Sequence, residues 1–313
     1  MDGQKRGLSL LNLMLIVIIV ILSLFLIVES IFIVATGNIL PDFSSPLASS
    51  KVAVIYVEGE MVTDGSPGPG YSGSGDIVSQ LRQAEADPGI KAIVLRINSP
   101  GGSPVAAQDI YHQLLKTKQV KPVVVSMSDM ATSAAYYISS ACDKIYAAPD
   151  SWTGSIGVIW PIQDSSTYYE KEGISFYIGK SGQYKDIGAD WRGLTDDEKT
   201  YVNGLVNETF DRFVEAVATG RNMSAEDVRS LADGRVFTGV HAKELGLIDE
   251  IGDLYDAIDA ASELGNIQGA PDVQYFNQIT LTGSDFSASQ TNGTLATTGR
   301  YQPFYSPYGW LYL

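Results

Sequence analysis

Cysteine occurs once, at Cys142, so the sequence has no intramolecular disulfide framework, no cysteine-based zinc site and no CxxC redox pair. Histidine occurs twice, at His112 and His241, which leaves a histidine-rich metal site without ligands; neither a metal nor a cofactor is expected. Charge is thin, at 18% of 313 residues. It is also one-sided: 21 Lys and Arg stand against 36 Asp and Glu, a formal net charge of −15. A phosphate backbone would be repelled by such a surface, so nucleic acid is not an expected partner. Wholesale disorder is excluded by a hydrophobic content of 45% and an aromatic content of 10%. The length suits one sizeable domain with extensions.

From Leu8 to Val28 no charged residue occurs and Leu, Ile and Val dominate. At about 1.5 Å per residue this run reaches about 31 Å, enough to cross the hydrocarbon core and longer than a signal-peptide apolar region of about 7–15 residues. Lys5 and Arg6 precede it, and the next basic residue is Lys51. The expectation is an uncleaved, single-pass anchor held by membrane lipid, with a cytoplasmic N-terminus and everything after it exported. Residues 1–37 form this segment, and 38–50, with Pro41, Pro46 and a run of serines, read as a linker.

Strand and helix signals then alternate. Continuous apolar runs at Val52–Val57, Ala92–Ile97 and Val123–Met127 suit strands buried on both faces, and Ile145–Ala147 and Ile156–Trp160 read as shorter ones. Helical patterns cover Ile77–Ala86 and Pro104 to about Lys118, with Ser103 as cap, and another follows near Ser133. Thr195 and Glu198 have capping-box spacing ahead of a long helix to Thr219; Ser224 and Asp253 head two more. The pattern is α/β with mainly parallel strands and a helical C-terminal part, over residues 51–265. Residues 266–313 carry only Asp272, Asp285 and Arg300 as charges and read as a flexible tail, ending in Tyr301, Phe304, Tyr305, Tyr308, Trp310 and Tyr312.

Neither histidine sits at a strand end or glycine turn, so a Ser-His-Asp triad is disfavoured. Gly179-Lys180-Ser181 ends like a P-loop, but Ile174 stands where its first glycine belongs. Asp196-Asp197-Glu198 is explained by the dipole of the helix it opens. What remains is a set of small and hydroxyl residues at strand ends. Asn98-Ser99-Pro100-Gly101-Gly102 follows one buried strand, and Ala131-Thr132-Ser133-Ala134-Ala135-Tyr136-Tyr137 follows another. Thr153-Gly154-Ser155-Ile156-Gly157 and Ser181-Gly182-Gln183-Tyr184-Lys185 come after them. A serine needs a base to become a nucleophile, and a lysine whose ammonium is penalised by burial can serve without histidine.

In this order and spacing, Asn98–Gly102, Ala131–Tyr137, Thr153–Val158 and Tyr184-Lys185-Asp186, with Ala232-Asp233-Gly234-Arg235-Val236 and Ala242-Lys243-Glu244-Leu245-Gly246-Leu247-Ile248-Asp249 further on, resemble the signal peptide peptidases of the SppA family over about residues 51–264. The resemblance implies a crotonase/Clp-protease-like fold and a membrane-bound serine endopeptidase in its short, single-domain form. Carried onto this sequence it makes Ser133 the nucleophile, Lys185 the general base in preference to Lys180, and Ser155 the hydroxyl that holds the lysine. The backbone N–H groups of Gly101 and Ala134 would form the oxyanion hole. It also implies polypeptide substrates such as remnant signal peptides, and a homo-oligomer whose active sites lie at subunit interfaces, with Ser133 and Lys185 from one chain or from two. One departure is Ala134-Ala135, where the family usually has Gly-Gly; two added methyl groups are expected to alter the wall beside the scissile bond. That departure motivates the alternative of an inactive binding or scaffold protein of the same fold. Acyl-CoA chemistry on a crotonase-like fold is a third reading, disfavoured by export and by the Ser/Lys pair.

Overall fold

The computed structural model describes residues 14, 17–25, 50–63, 68 and 70–276. The chain divides into two units, Met1–Ala48 and Ser49–Leu313. In the first, residues 17–25 are helical and expose apolar side chains such as Ile21 and Phe25. Among the described residues no helix is long and apolar enough to cross a membrane, and the remainder of the run from Leu8 to Val28 lies outside them. The aromatic chain end beyond residue 276 also lies outside the described residues.

The second unit is built from strands whose residues are apolar on both faces, as expected. β1 (Lys51–Glu58) is followed by the short β2 (Glu60–Val62) and β3 (Tyr71–Gly73), which form a separate two-stranded sheet, and Met61 of β2 also bridges Gly102. Then come α1 (Ser74–Ala86), β4 (Ile90–Ser99), α2 (Pro104–Thr117) and β5 (Val123–Thr132). Successive strand residues point to opposite sides of the sheet. Ala53, Ile55, Ile93, Leu95, Val123 and Val125 therefore join the larger core with α1 and α2. Val52, Val54, Ala92, Val94 and Val124 face the other way, against a helix near the C-terminus. Each such Val, Ile or Leu side chain contributes about 1.5–3 kcal/mol when fully buried, which is why continuous hydrophobicity selects a covered parallel sheet.

Past β5 the elements shorten: α3 (Ala134–Ser139), β6 (Lys144–Ala147), β7 (Trp152–Gly154) and α4 (Ser166–Lys171). The expected strand at 156–160 is instead β7, a few residues earlier; it has no hydrophobic run of its own and is held by pairing to β5. α5 (Asp196–Arg221) starts at the anticipated capping box, with Thr195 and Glu198 satisfying each other's backbone N–H groups. α6 (Ala225–Leu231), β8 (Val236–Thr238), α7 (Gly239–Glu244), β9 (Glu250–Ile251), α8 (Leu254–Leu264) and β10 (Asp272–Tyr275) complete the unit. The main sheet runs β10-β1-β4-β5-β6-β9, all parallel; β7 pairs β5 in parallel and β8 antiparallel, so the sheet is mixed. β10 extends the sheet past residue 265, where composition had suggested the domain would stop.

The run from Ala242 to Asp249 serves this frame. After α7 it turns at Gly246, and the Leu247 carbonyl accepts the Tyr136 hydroxyl at 2.8 Å. Tyr136 is fully buried in α3, and burial pushes its phenol far above its usual range. Replacing Tyr136 by Phe should leave that carbonyl unpaired in the core, at a cost of about 1–3 kcal/mol. The thermal midpoint should fall by about 2–4 °C per kcal/mol, as read by scanning calorimetry; an unchanged midpoint would mean the bond carries nothing.

Candidate active site

Three adjacent parallel strands end side by side. Ser99 of β4 stands opposite Ala131 of β5, and Thr132 of β5 stands opposite Gly154 of β7. The register alone puts the turn after β4, Ser133 after β5 and Ser155 after β7 at one level. Hydroxyls stitch the strand ends together: Thr132 Oγ1 donates to the Pro100 carbonyl at 3.0 Å, and Thr153 Oγ1 to the Ala131 carbonyl at 2.9 Å.

Ser133 has φ 58° and ψ −122°, a backbone conformation that costs an L residue about 1–3 kcal/mol. Its N–H donates to the Gly154 carbonyl at 2.8 Å, and its own carbonyl accepts the Tyr137 N–H at 2.9 Å. The serine is thus pinned on the sharp turn between β5 and α3, and it is 8% exposed. Ser155 also has positive φ, 50°, and its N–H donates to the Arg235 carbonyl at 2.8 Å. The run from Ala232 to Val236 therefore acts by supplying β8, which braces β7 from the far side. At Gly102, φ is 146° and a Cβ would lie 2.2 Å from the Met61 carbonyl oxygen, so only glycine allows β2 to lie along this turn. Met61 N–H donates to the Gly101 carbonyl and Ser103 N–H to the Met61 carbonyl, each at 2.8 Å.

Gly101, Gly102, Ser133 and Ser155 line one cleft of about 570 Å³. Sequence reasoning missed its other wall, made by Val158 and Ile159 together with Val206 and Phe210 from α5. The spacing of 206 and 210 on one helix face was the available signal. Glu60 also lines the cleft, and burial raises its carboxyl above the usual range. Asp233 sits there too, but its ion pair with Arg235 holds its carboxyl low. Ala134 and Ala135 are fully buried among core residues and do not line the cleft of the single chain. The Ala134 N–H opens α3 beside Ser133, while the Gly101 N–H donates to Ser99 Oγ at 3.1 Å. Exposed on helices, His112 and His241 lie outside the cleft, as does buried Cys142, whose thiol burial pushes far up.

Lys185 is exposed in the single chain and does not line this cleft. It lies in a series of turns between α4 and α5. Lys180 is engaged by Asp186 at 2.8 Å. Asp186 and Glu198 also share Arg192, at 2.8 and 2.6 Å. The Arg192 guanidinium holds the Glu198 carboxyl down to about 2 and the Asp186 carboxyl well below the carboxylate range. A depressed folded-state pKa stabilises above the unfolded value, about 4.3 for Glu, and that stabilisation is lost as pH falls through the folded value. Glu198→Gln should therefore lower the thermal midpoint near neutral pH, and the gap from wild type should close as pH approaches about 2. A constant gap across that titration would contradict the ion-pair origin.

Known proteins match this sequence. The profile of peptidase family S49 matches residues 115–268, which include Ser133, Ser155 and Lys185, and the Clp protease profile matches residues 71–153. "Putative protease MJ0651" of Methanocaldococcus jannaschii is 34% identical over 230 residues, covering 72% of this chain and 74% of that protein. "Putative signal peptide peptidase SppA" of Enterococcus faecium is 34% identical over 227 residues, 71% of this chain and 66% of its own length. "Putative protease slr0021" of Synechocystis is 40% identical over 176 residues, 56% of this chain and 64% of its own. The mixed, mostly parallel sheet with its helices is a Clp-protease-like α/β fold. With a strained serine at the end of its central strand, this chain is a serine peptidase and belongs to peptidase family S49, the signal peptide peptidase SppA family.

Proposed function

We propose that this protein is a membrane-tethered endopeptidase that cleaves remnant signal peptides or other membrane-proximal polypeptides through a Ser133–Lys185 dyad and an acyl-enzyme. The observation that carries the reading is the pinned, left-handed Ser133, set beside Ser155 in a cleft with an apolar far wall. Ser133 Oγ attacks the peptide carbonyl while the Lys185 amine takes its proton and then delivers it to the departing amine. Water, deprotonated by the same lysine, releases the acyl group. The tetrahedral oxyanion meets the Ala134 N–H and the Gly101 N–H, which exchanges Ser99 for it; each such donor contributes about 2.7–4 kcal/mol. Ser155 would orient the lysine. Lys180 is a poorer base because its ammonium is committed to Asp186.

Exposure of Lys185 in one chain supports a dyad assembled between copies, since burial at an interface is what would strip water from the amine. The same segment exposes Tyr177 at 97%, with Ile174, Phe176 and Ile178, apolar surface suited to a neighbouring chain. The signal-peptide substrate class is supported by the name of the E. faecium relative and by apolar Val158, Ile159, Val206 and Phe210. Tethering is supported by the length of the uncharged run from Leu8 to Val28, and export of the peptidase unit by Lys5 and Arg6 ahead of it with no basic residue after it until Lys51.

Ser133→Ala and Lys185→Ala are each expected to cut turnover of a signal-peptide substrate by about 10³-fold or more while leaving circular dichroism unchanged. Retained turnover in Lys185→Ala would reject the dyad. Mixing the two inactive variants under conditions that exchange subunits should restore up to about a quarter of wild-type activity if each site takes its serine and lysine from different chains. A dyad within one chain predicts no recovery.

A further inference from the structure

We infer that Arg192 is a positioning residue for Lys185, clamping the loop that carries this lysine to the first turns of α5. The inference rests on the dyad reading above. The loop has no helix or strand of its own; Lys185 N–H donates to the Gly182 carbonyl at 3.2 Å and Ile187 N–H to the Tyr184 carbonyl at 3.1 Å. Such turns alone would leave the amine loosely placed. Both residues flanking Lys185 are nevertheless tied down. Tyr184 stacks on Tyr201 of α5 with ring centroids 5.4 Å apart and planes inclined by 24°. Asp186 takes Arg192 in a two-point contact, Nε to Oδ2 at 3.0 Å and Nη2 to Oδ1 at 2.8 Å.

The same guanidinium then grips Glu198, Nη1 to Oε2 at 2.7 Å and Nη2 to Oε1 at 2.6 Å. Glu198 is itself fixed, because its Oε2 accepts the Thr195 N–H at 2.9 Å in the capping box. Glu198 and Tyr201 are three residues apart, hence neighbours on one face of α5. Two anchors on one helix face thus bracket a single residue, whose own amine has no hydrogen-bond partner among the described residues. The clamp carboxylates are 9% and 3% exposed, so the forked contacts are shielded from the solvent that weakens surface pairs. An ammonium cannot reproduce this bridge, because it lacks the planar fork that serves two carboxylates at once. α5 also supplies Val206 and Phe210 to the cleft wall, so one rigid helix sets both the substrate wall and the base-bearing loop.

The test compares wild type, Arg192→Ala, Arg192→Lys, Glu198→Gln and Lys185→Ala as full-length oligomers on one peptide substrate. Arg192→Ala and Arg192→Lys should lower kcat by about 10²-fold with KM unchanged, the size of effect that a displacement near 1 Å can produce. Added guanidinium ion should restore part of the Arg192→Ala loss, and Arg192→Ala should cost nothing further in a Lys185→Ala background. Glu198→Gln keeps an acceptor for the helix cap but loses the charge; a kcat loss there supports the clamp even if the Arg192 variants fail to fold. Unchanged kcat in a folded Arg192→Ala or in Glu198→Gln, or a loss confined to KM, would overturn it. Should Lys185→Ala stay active, the dyad itself falls; should it be inactive while Arg192→Ala is fully active, only the clamp falls.

Discussion

Everything at this site depends on the register between β5 and its neighbours. With Thr132 opposite Gly154, the Gly154 carbonyl is the acceptor next in line for the Ser133 N–H, and that bond holds the serine in a conformation it would otherwise leave. Slipping the pairing by one residue would turn every strand side chain to the opposite face. Val123 and Val125 would then exchange cores with Val124, which the two hydrophobic layers do not permit. The burial of alternating apolar side chains along β5 is therefore what fixes a polar backbone contact at its end. Strain at Ser133 is sustained by the packing of a whole sheet, with Tyr136 and Leu247 bracing α3 from behind.

The parts of the fold legible in the sequence were those with their own physical signal. β1, β4 and β5 are continuous apolar runs because both faces are covered, and α2, α5, α6 and α8 announce themselves through Ser103, Thr195, Ser224 and Asp253. Of the candidate site, Gly101, Ser133 and Ser155 were legible because small residues after buried strands are where a backbone can turn and face a ligand. Elements that borrow their stability were not. β7 is three residues long and exists through β5 and β8, while Asp272–Tyr275 has only Val273 to pack against a core and becomes a strand by pairing with β1. Glu60 is in the cleft through the packing of β2, which no local pattern encodes, while Val206 and Phe210 share a helix face whose spacing marks a buried side without saying what it covers.

The structure also separates the quoted strings into two kinds. Residues 98–102, 131–137 and 153–157 contribute directly to the cleft, whereas 242–249 acts at a distance through the Leu247 carbonyl, and 232–236 both lines the cleft and braces β7. Ala134 and Ala135 belong to the inner set by sequence and to the core by burial, where their methyl groups fill space behind Ser133.

The proposed nucleophile and the proposed base obey opposite physical demands, and the chain meets them in different ways. A serine can be held permanently in place, because its neutral hydroxyl carries no charge to desolvate and here it lines the cleft. A lysine cannot be left buried and uncharged without a large penalty, since desolvating an ammonium is costly unless it loses its proton or gains a partner. Keeping Lys185 at the surface of the single chain, on a loop pinned by Tyr184 and Asp186, avoids that cost until something covers it. If the cover is a neighbouring copy, the free energy of burying residues such as Phe176 and Tyr177 offsets the desolvation of the amine. On that reading, proteolytic competence is tied to assembly by energetics alone.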